Sequence, residues 1–201
     1  MQIHKLFAFL ACHIIRKSNH TFFLFLLHNA ACPDVHYHHK KAGDLIVKHK
    51  LSSLLPALFL PLAVGGLAGY FTRSAMSGYK LLKKLPFAPP GWVFPVVWTI
   101  LYLLMGYASW RIWKSSSPAR WEALGEYVLT LALNFLWPLI FFLGGYWLAA
   151  LLVLIVLFLL VADLIRRSAA IDLKAALALV PYLLWLGVAG YLNLGIYLLN
   201  R

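Results

Sequence analysis

Three stretches of this 201-residue chain gather side chains that could bind or transform a ligand. The first carries Trp92, Trp98 and Tyr102 behind a Pro89-Pro90 pair. Trp98 and Tyr102 stand four residues apart, hence on one helical face. The second carries Asn134, Trp137 and Phe141 at i, i+3, i+7, with Pro138 beside them. The third carries Trp185, Ala189 and Asn193 in steps of four, interleaved with Gly187 and Gly190. Indoles stack on flat apolar rings. An asparagine in apolar surroundings needs a polar partner. Small residues let a flat ligand or another helix come close. Each feature also has a plainer reading: an interface anchor for Trp92, interhelical hydrogen bonds for Asn134 and Asn193, packing for the deeper indoles. The sharper reading is that Trp98, Trp137 and Trp185 converge on one pocket.

Other chemistries find few residues. All eight histidines and both cysteines, Cys12 and Cys32, lie in residues 1–49, whereas all eight tryptophans follow residue 90. The chain after residue 50 therefore offers neither the usual ligands for zinc, iron–sulfur or haem iron nor a thiol nucleophile, and no metal site is expected there. His36, His38 and His39 in the first segment could hold a metal. Residues 1–50 read as an N-terminal extension, disordered or not part of the fold, and 51–201 as the functional domain.

The elements that must position the three stretches are membrane helices. Hydrophobic residues make up 63% of the chain and charged ones 12%, with a mean hydropathy of +0.80. A soluble domain is about 45–50% apolar and about 25% charged. So few charges cannot cover so much apolar surface in water, and lipid is the implied solvent. The net charge of +12 would suggest nucleic acid in a soluble protein. Here the basic residues flank apolar runs, where headgroups bind them, and no nucleic-acid partner is expected.

Uncharged runs cover 51–72, 91–110, 127–162 and 175–200. About 20 helical residues cross a bilayer core of about 30 Å, so 127–162 is too long for one crossing. Gly144-Gly145 is the natural turn within it. Five spans follow, at roughly 51–72, 92–113, 121–143, 146–165 and 174–199, joined before Pro89 by a structured non-helical loop. The fold class is an all-α five-transmembrane-helix bundle enclosing a ligand pocket. Basic residues number ten on the N-terminal side and five on the other, or six against five without the first segment. That balance puts the N-terminus in the cytoplasm.

The three stretches resemble the TspO/MBR family, the tryptophan-rich sensory and translocator proteins that include the peripheral benzodiazepine receptor. The pattern PPxWVFxxVWTxLYxxMGxAxxxxW runs over 89–113, LNxxWPxxFF over 133–142 and PYxxWxxxAxxLN over 181–193. The resemblance covers about 51–201. Phe87 stands where the family often has Trp, and Leu194 where animal members have Tyr in their sterol pattern. Gly125 is followed by Leu129 rather than a second glycine, which leaves Gly65 and Gly69 as the alternative face for helix pairing.

The resemblance implies a bundle whose pocket is covered by the first loop, about 73–90. It implies porphyrin ligands such as protoporphyrin IX or a haem-like tetrapyrrole, sterols in some members, no required cofactor, and a regulatory or transport role. Implied ligand-binding residues are Trp92, Trp98, Tyr102, Asn134, Trp137, Phe141, Trp185, Ala189 and Asn193. The alternative it implies is enzymatic: light- and oxygen-dependent degradation of protoporphyrin IX, with Trp98 and Trp185 as the catalytic pair. Implied partners are membrane lipid, these ligands and a second copy in a homodimer. The implied location is multi-pass in a membrane, the cell membrane in a prokaryote. The scarcity of acidic residues in the spans weighs against a proton-driven pump.

Overall fold

The computed structural model describes residues 38–200 apart from Lys84 and Phe87, with side chains from Ser53 onward except those of Met76 and Lys80. The expectations for residues 1–37 lie outside the described residues. The chain divides into two units, Met1–Val47 and Lys48–Arg201, and the second holds the membrane helices.

Helix α1 runs His38–Thr72, so residues 38–50 are helical. No proline interrupts that stretch, and Ala42, Leu45 and Lys48 favour helix. A 3₁₀ turn, Arg73–Ala75, and a short helix α2, Met76–Leu81, follow. The loop expected to be non-helical therefore begins as helix. Residues 73–81 hold no proline, whereas Pro86, Pro89 and Pro90 forbid helix farther on. The remaining helices are α3 Val93–Lys114, α4 Arg120–Pro138, α5 Trp147–Ile171 and α6 Leu173–Asn200. Among the described residues five segments are long and apolar enough to cross a membrane: Ser53–Ala75, Val93–Lys114, Arg120–Leu143, Trp147–Ile171 and Leu173–Asn200. These match the five expected spans in order and nearly in bounds.

The long run 127–162 breaks where two glycines stand. Pro138 cannot donate to the helix ladder, and the chain widens into a π turn, Leu139–Leu143. The Gly144 amide donates to the Leu139 carbonyl at 3.1 Å. Gly145 then takes φ +63°, the left-handed region that side chains disfavour.

Helix α3 packs on α6, α6 on α5, α5 on α4, and α4 back on α3. Apolar stripes at helical spacing make the core: Met105, Ala108 and Ile112 on α3; Ala123, Tyr127 and Leu131 on α4; Leu157, Val161 and Leu164 on α5; Leu179, Tyr182 and Leu186 on α6. Helix α1 meets α3 through glycine contacts. A methyl group at Gly65 would overlap the Tyr102 ring, and one at Gly106 would lie 2.6 Å from the Ala57 carbonyl oxygen. Trp110 Nε1 donates to Ser53 Oγ at 3.1 Å. Positions rising by four on α3 thus meet falling positions on α1, an antiparallel crossing. Gly65 is occupied by a contact within the chain, whereas Gly69 faces open space.

One end of the bundle is tied by charge. Arg111 Nε and Nη2 both donate to Asp172 Oδ2, at 2.9 and 2.6 Å. Asp172 Oδ1 accepts the Lys174 and Ala175 amides at 2.9 and 3.1 Å, capping α6. Burial would raise the Asp172 carboxyl's pKa, but the Arg111 guanidinium and these amides together pull it below the usual carboxylate range. Arg167 on α5 reaches Asp163, Glu122 and Glu126, joining α5 to α4.

Candidate functional site

The other end of the bundle holds a cavity of about 190 Å³. It is built where α1 ends, α3 begins, α4 gives way to the π turn, and the second half of α6 passes. Trp98 and Tyr102 enter from α3, Asn134, Trp137 and Phe141 from α4 and its π turn, and Trp185, Ala189 and Asn193 from α6. Eight of the nine residues expected to bind ligand therefore line one space.

Trp92 is the exception. It precedes α3 as its N-cap residue, is 70% exposed and does not line the cavity. The Pro89-Pro90 turn starts α3 close beside it, and on the helix Trp92 lies six residues before Trp98, 240° around the axis. That exposure fits the plainer reading of Trp92 as an interface anchor.

The rings form a graded lining. Trp98 stacks on Tyr102 with centroids 5.4 Å apart and planes at 30°, and meets Tyr182 edge-on at 6.2 Å. Trp185 meets Phe94 edge-on at 6.0 Å. Trp137 lies 5.5 Å from Phe141. Across the mouth, Tyr79 of α2 packs on Phe142 at 5.3 Å and Phe141 at 6.1 Å. Burial raises the Tyr79 phenol above its ordinary pKa, so it stays neutral.

The two asparagines hold the lining in place. Asn134 Nδ2 donates to Tyr102 Oη at 3.3 Å, linking α4 to α3 under the Trp98 stack. Asn193 Oδ1 accepts from Trp137 Nε1 at 3.2 Å, and its Nδ2 donates to the Trp147 carbonyl at 2.7 Å. Both are nearly inaccessible, at 2% and 1% exposure. Asn193 thus spends both ends of its amide on protein and fixes the Trp137 indole. The Trp185 Nε1 is buried and finds no hydrogen-bond partner, although buried indole N–H groups ordinarily have one.

Several lining residues escaped sequence reasoning. Gly65, Ala68, Gly69 and Thr72 of α1, Tyr79 of α2, and Phe94 and Phe142 all face the cavity. The i, i+4 spacing of Gly65 and Gly69 was a usable signal, but it equally fits helix pairing. Tyr79 carried none, because its role depends on α2 folding across the mouth.

Among the described residues the lining contains no carboxylate, imidazole, amine or thiol. Such a site can stack and enclose an apolar ring but has no acid–base pair for hydrolysis. Among the described residues no three of His, Cys, Asp and Glu come together as a metal site.

Residues 57–199 match the model of the TspO/MBR family. The chain is 34% identical over 152 residues to the tryptophan-rich protein TspO of Archaeoglobus fulgidus, covering 73% of this chain and 96% of that one. It is 36% identical over 152 residues to protein CrtK of Rhodobacter capsulatus, covering 74% and 93%. With the translocator protein of Bos taurus it shares 38% over 138 residues, covering 67% and 82%. Five spanning helices around an indole-lined cavity, in a chain matched over nearly all its membrane domain, make this a multi-pass integral membrane protein that belongs to the TspO/MBR family.

Proposed function

We propose that the protein binds a flat, largely apolar ligand of the tetrapyrrole class, such as protoporphyrin IX, and serves as a sensor or carrier of it within the membrane. One observation carries the reading: three indoles from three helices, Trp98, Trp137 and Trp185, line one cavity, and among the described residues none of its lining side chains is charged. Aromatic walls favour a planar ring, and the apolar lining favours a ligand that partitions into lipid. The half-open mouth lets a ring larger than the enclosed space leave one edge outside. The test is titration of the full chain in detergent with protoporphyrin IX, following tryptophan fluorescence. Saturable quenching is expected in the wild type and its loss in Ala189→Phe. Identical quenching in the two proteins overturns the reading.

A second reading is oxidation of the bound porphyrin by dioxygen under illumination. The Trp98–Tyr102 stack favours it, since it places two oxidisable rings in contact at the cavity wall. Protein-dependent loss of the porphyrin absorption in light, abolished in Trp98→Phe, is the expected result. Bleaching at the same rate with and without protein excludes it.

A further inference from the structure

The cavity end and the opposite end carry charge in opposite ways. Residues 51–201 contain four acidic side chains, Glu122, Glu126, Asp163 and Asp172, and all of them sit at the end away from the cavity. The segment crossing the cavity end, between α1 and α3, contains Arg73, Lys80, Lys83 and Lys84 and no acidic residue. The ion pairs of the described residues all use the four acids of the far end. Among the described residues no Asp or Glu side chain of the membrane domain stands at the mouth to pair with these cations.

The backbone of one of these residues is held in place. The Lys83 amide donates to Asn200 Oδ1 at 3.0 Å, and Asn200 Nδ2 donates back to the Lys83 carbonyl at 3.0 Å. Asn200 Nδ2 also reaches the Ile196 carbonyl at 2.9 Å, one turn up α6. Ile196 lines the cavity. On either side of Lys83, Leu82 packs on the cluster formed by Phe141 and Ile196, and Leu85 fills a notch at Gly195, where a methyl group would overlap its side chain. A single side-chain amide reading both polar groups of one backbone residue, flanked by two seated leucines, is a clamp. It fixes the backbone of an exposed lysine to Asn200, which lies one helical turn from Ile196 of the cavity wall.

We propose that Lys83, the cation whose backbone is clamped at this rim, reads an acidic edge on the ligand as its specificity-determining residue, with Asn200 as the positioning residue. The inference rests on the cavity being the ligand site. The ligand is then an anionic planar amphiphile: an apolar ring among the indoles and a carboxylate at the mouth. A neutral ligand of the same shape enters the same cavity and gains nothing from the rim.

The full chain in phosphatidylcholine discs, which carry no net lipid charge, is titrated with protoporphyrin IX and with its dimethyl ester. Both quench through the same ring, but only the first has carboxylates. The wild type is expected to prefer the diacid. Lys83→Gln is expected to lower diacid affinity about two- to fivefold, the range of an exposed ion pair, with ester affinity unchanged. Asn200→Ala keeps the lysine but frees its backbone, and is expected to reduce the preference by less. Arg166→Gln, at the far end, is expected to leave both affinities as they are. Added salt shrinks the wild-type preference and not ester binding. Equal affinities for diacid and ester in the wild type, or a preference unchanged in Lys83→Gln, overturn the rim and leave the cavity reading standing. Binding of neither probe removes both. If Lys83→Gln instead alters only the retention of added phosphatidylglycerol, the lysine serves lipid headgroups and the proposal falls.

Discussion

The two ends of the bundle solve opposite problems with the same helices. At the end where α3 finishes and α6 begins, Arg111 with Asp172, and Arg167 with Glu122 and Glu126, cross-link helices with paired charges. At the other end the helices part around a cavity walled by rings and held by neutral amides. Helix α1 reflects the division. It is only 11% buried over its spanning window, yet it closes one side of the cavity with Gly65, Ala68 and Thr72. Stability concentrated at one end lets the other keep an unfilled space, since a void forfeits packing that must be made good elsewhere. The comparison predicts that damage to the charged end lowers stability and spares affinity, and that damage to the cavity end does the reverse.

The largest expected effect is at Asp172. Asp172→Ala removes the α6 cap and leaves Arg111 without its partner, a loss of about 2 kcal/mol or more in stability. Thermal unfolding in detergent should shift down, while porphyrin affinity of the protein still folded stays within about twofold of wild type, below 0.5 kcal/mol. A large loss of affinity at full stability would falsify the division. The same residue gives a pH dependence. Its folded pKa lies below its unfolded value, so its contribution is complete at neutral pH and is lost as pH falls through the folded value, beneath about 4. The wild type should therefore lose stability at acid pH more steeply than Asp172→Asn.

At the cavity end the largest effect is expected from Ala189→Phe. Ala189 is 7% exposed and lines the cavity, so a ring there would fill the proposed ligand space. Binding should weaken more than tenfold, about 1.4 kcal/mol, with the unfolding temperature held or raised as the void fills. Unfolding of this variant at wild-type binding strength would reverse the assignment of the two ends. Trp98→Phe and Trp185→Phe come next. Each keeps an aromatic ring but loses part of the stacking surface, about 0.5–1.5 kcal/mol, so tenfold or less in affinity. Trp98→Phe should also shift Tyr102 out of its stack, and Trp185→Phe removes a buried N–H that has no partner. Trp185→Phe should therefore be the more stable of the two, which a pair of melting curves decides.

Much of this was legible beforehand because membrane helices advertise themselves. Run length set the five spans, and the glycine pair set the break at 144–145. Spacing by three and four put Trp98 with Tyr102, Trp137 with Phe141, and Trp185 with Ala189 and Asn193 on shared faces, and all of these line the cavity. What stayed hidden depended on contacts between distant segments. Nothing local says that Gly65 meets Tyr102 rather than a second copy, because close approach demands glycine in either case. Nothing local says that Asn193 serves Trp137 and Trp147, since any buried asparagine seeks a partner. Helix α2 was missed for another reason. The expected helices rested on uncharged runs, and 73–81, broken by Arg73 and Lys80, fell between two of them.

The smallest predicted effect tests the one expected site residue that the fold leaves out. Trp92 shares a motif with Trp98, and the motif alone gives no reason to separate them. The helix does. Trp98 turns inward to Tyr102 and Tyr182, whereas Trp92, at the start of α3, is 70% exposed and borders no part of the cavity. An indole at that depth sits among headgroups, where its ring and N–H are both accommodated. Phenylalanine keeps the ring and loses only the N–H, so Trp92→Phe should leave porphyrin affinity unchanged within error and alter stability by less than about 0.5 kcal/mol, as surface substitutions do. Its fluorescence contribution disappears, so the comparison must use the midpoint of the quenching curve and not its amplitude. A midpoint shifted as far as in Trp98→Phe would bring Trp92 to the ligand, and would mean that the mouth closes over the bound ring farther than α2 and Tyr79 reach here.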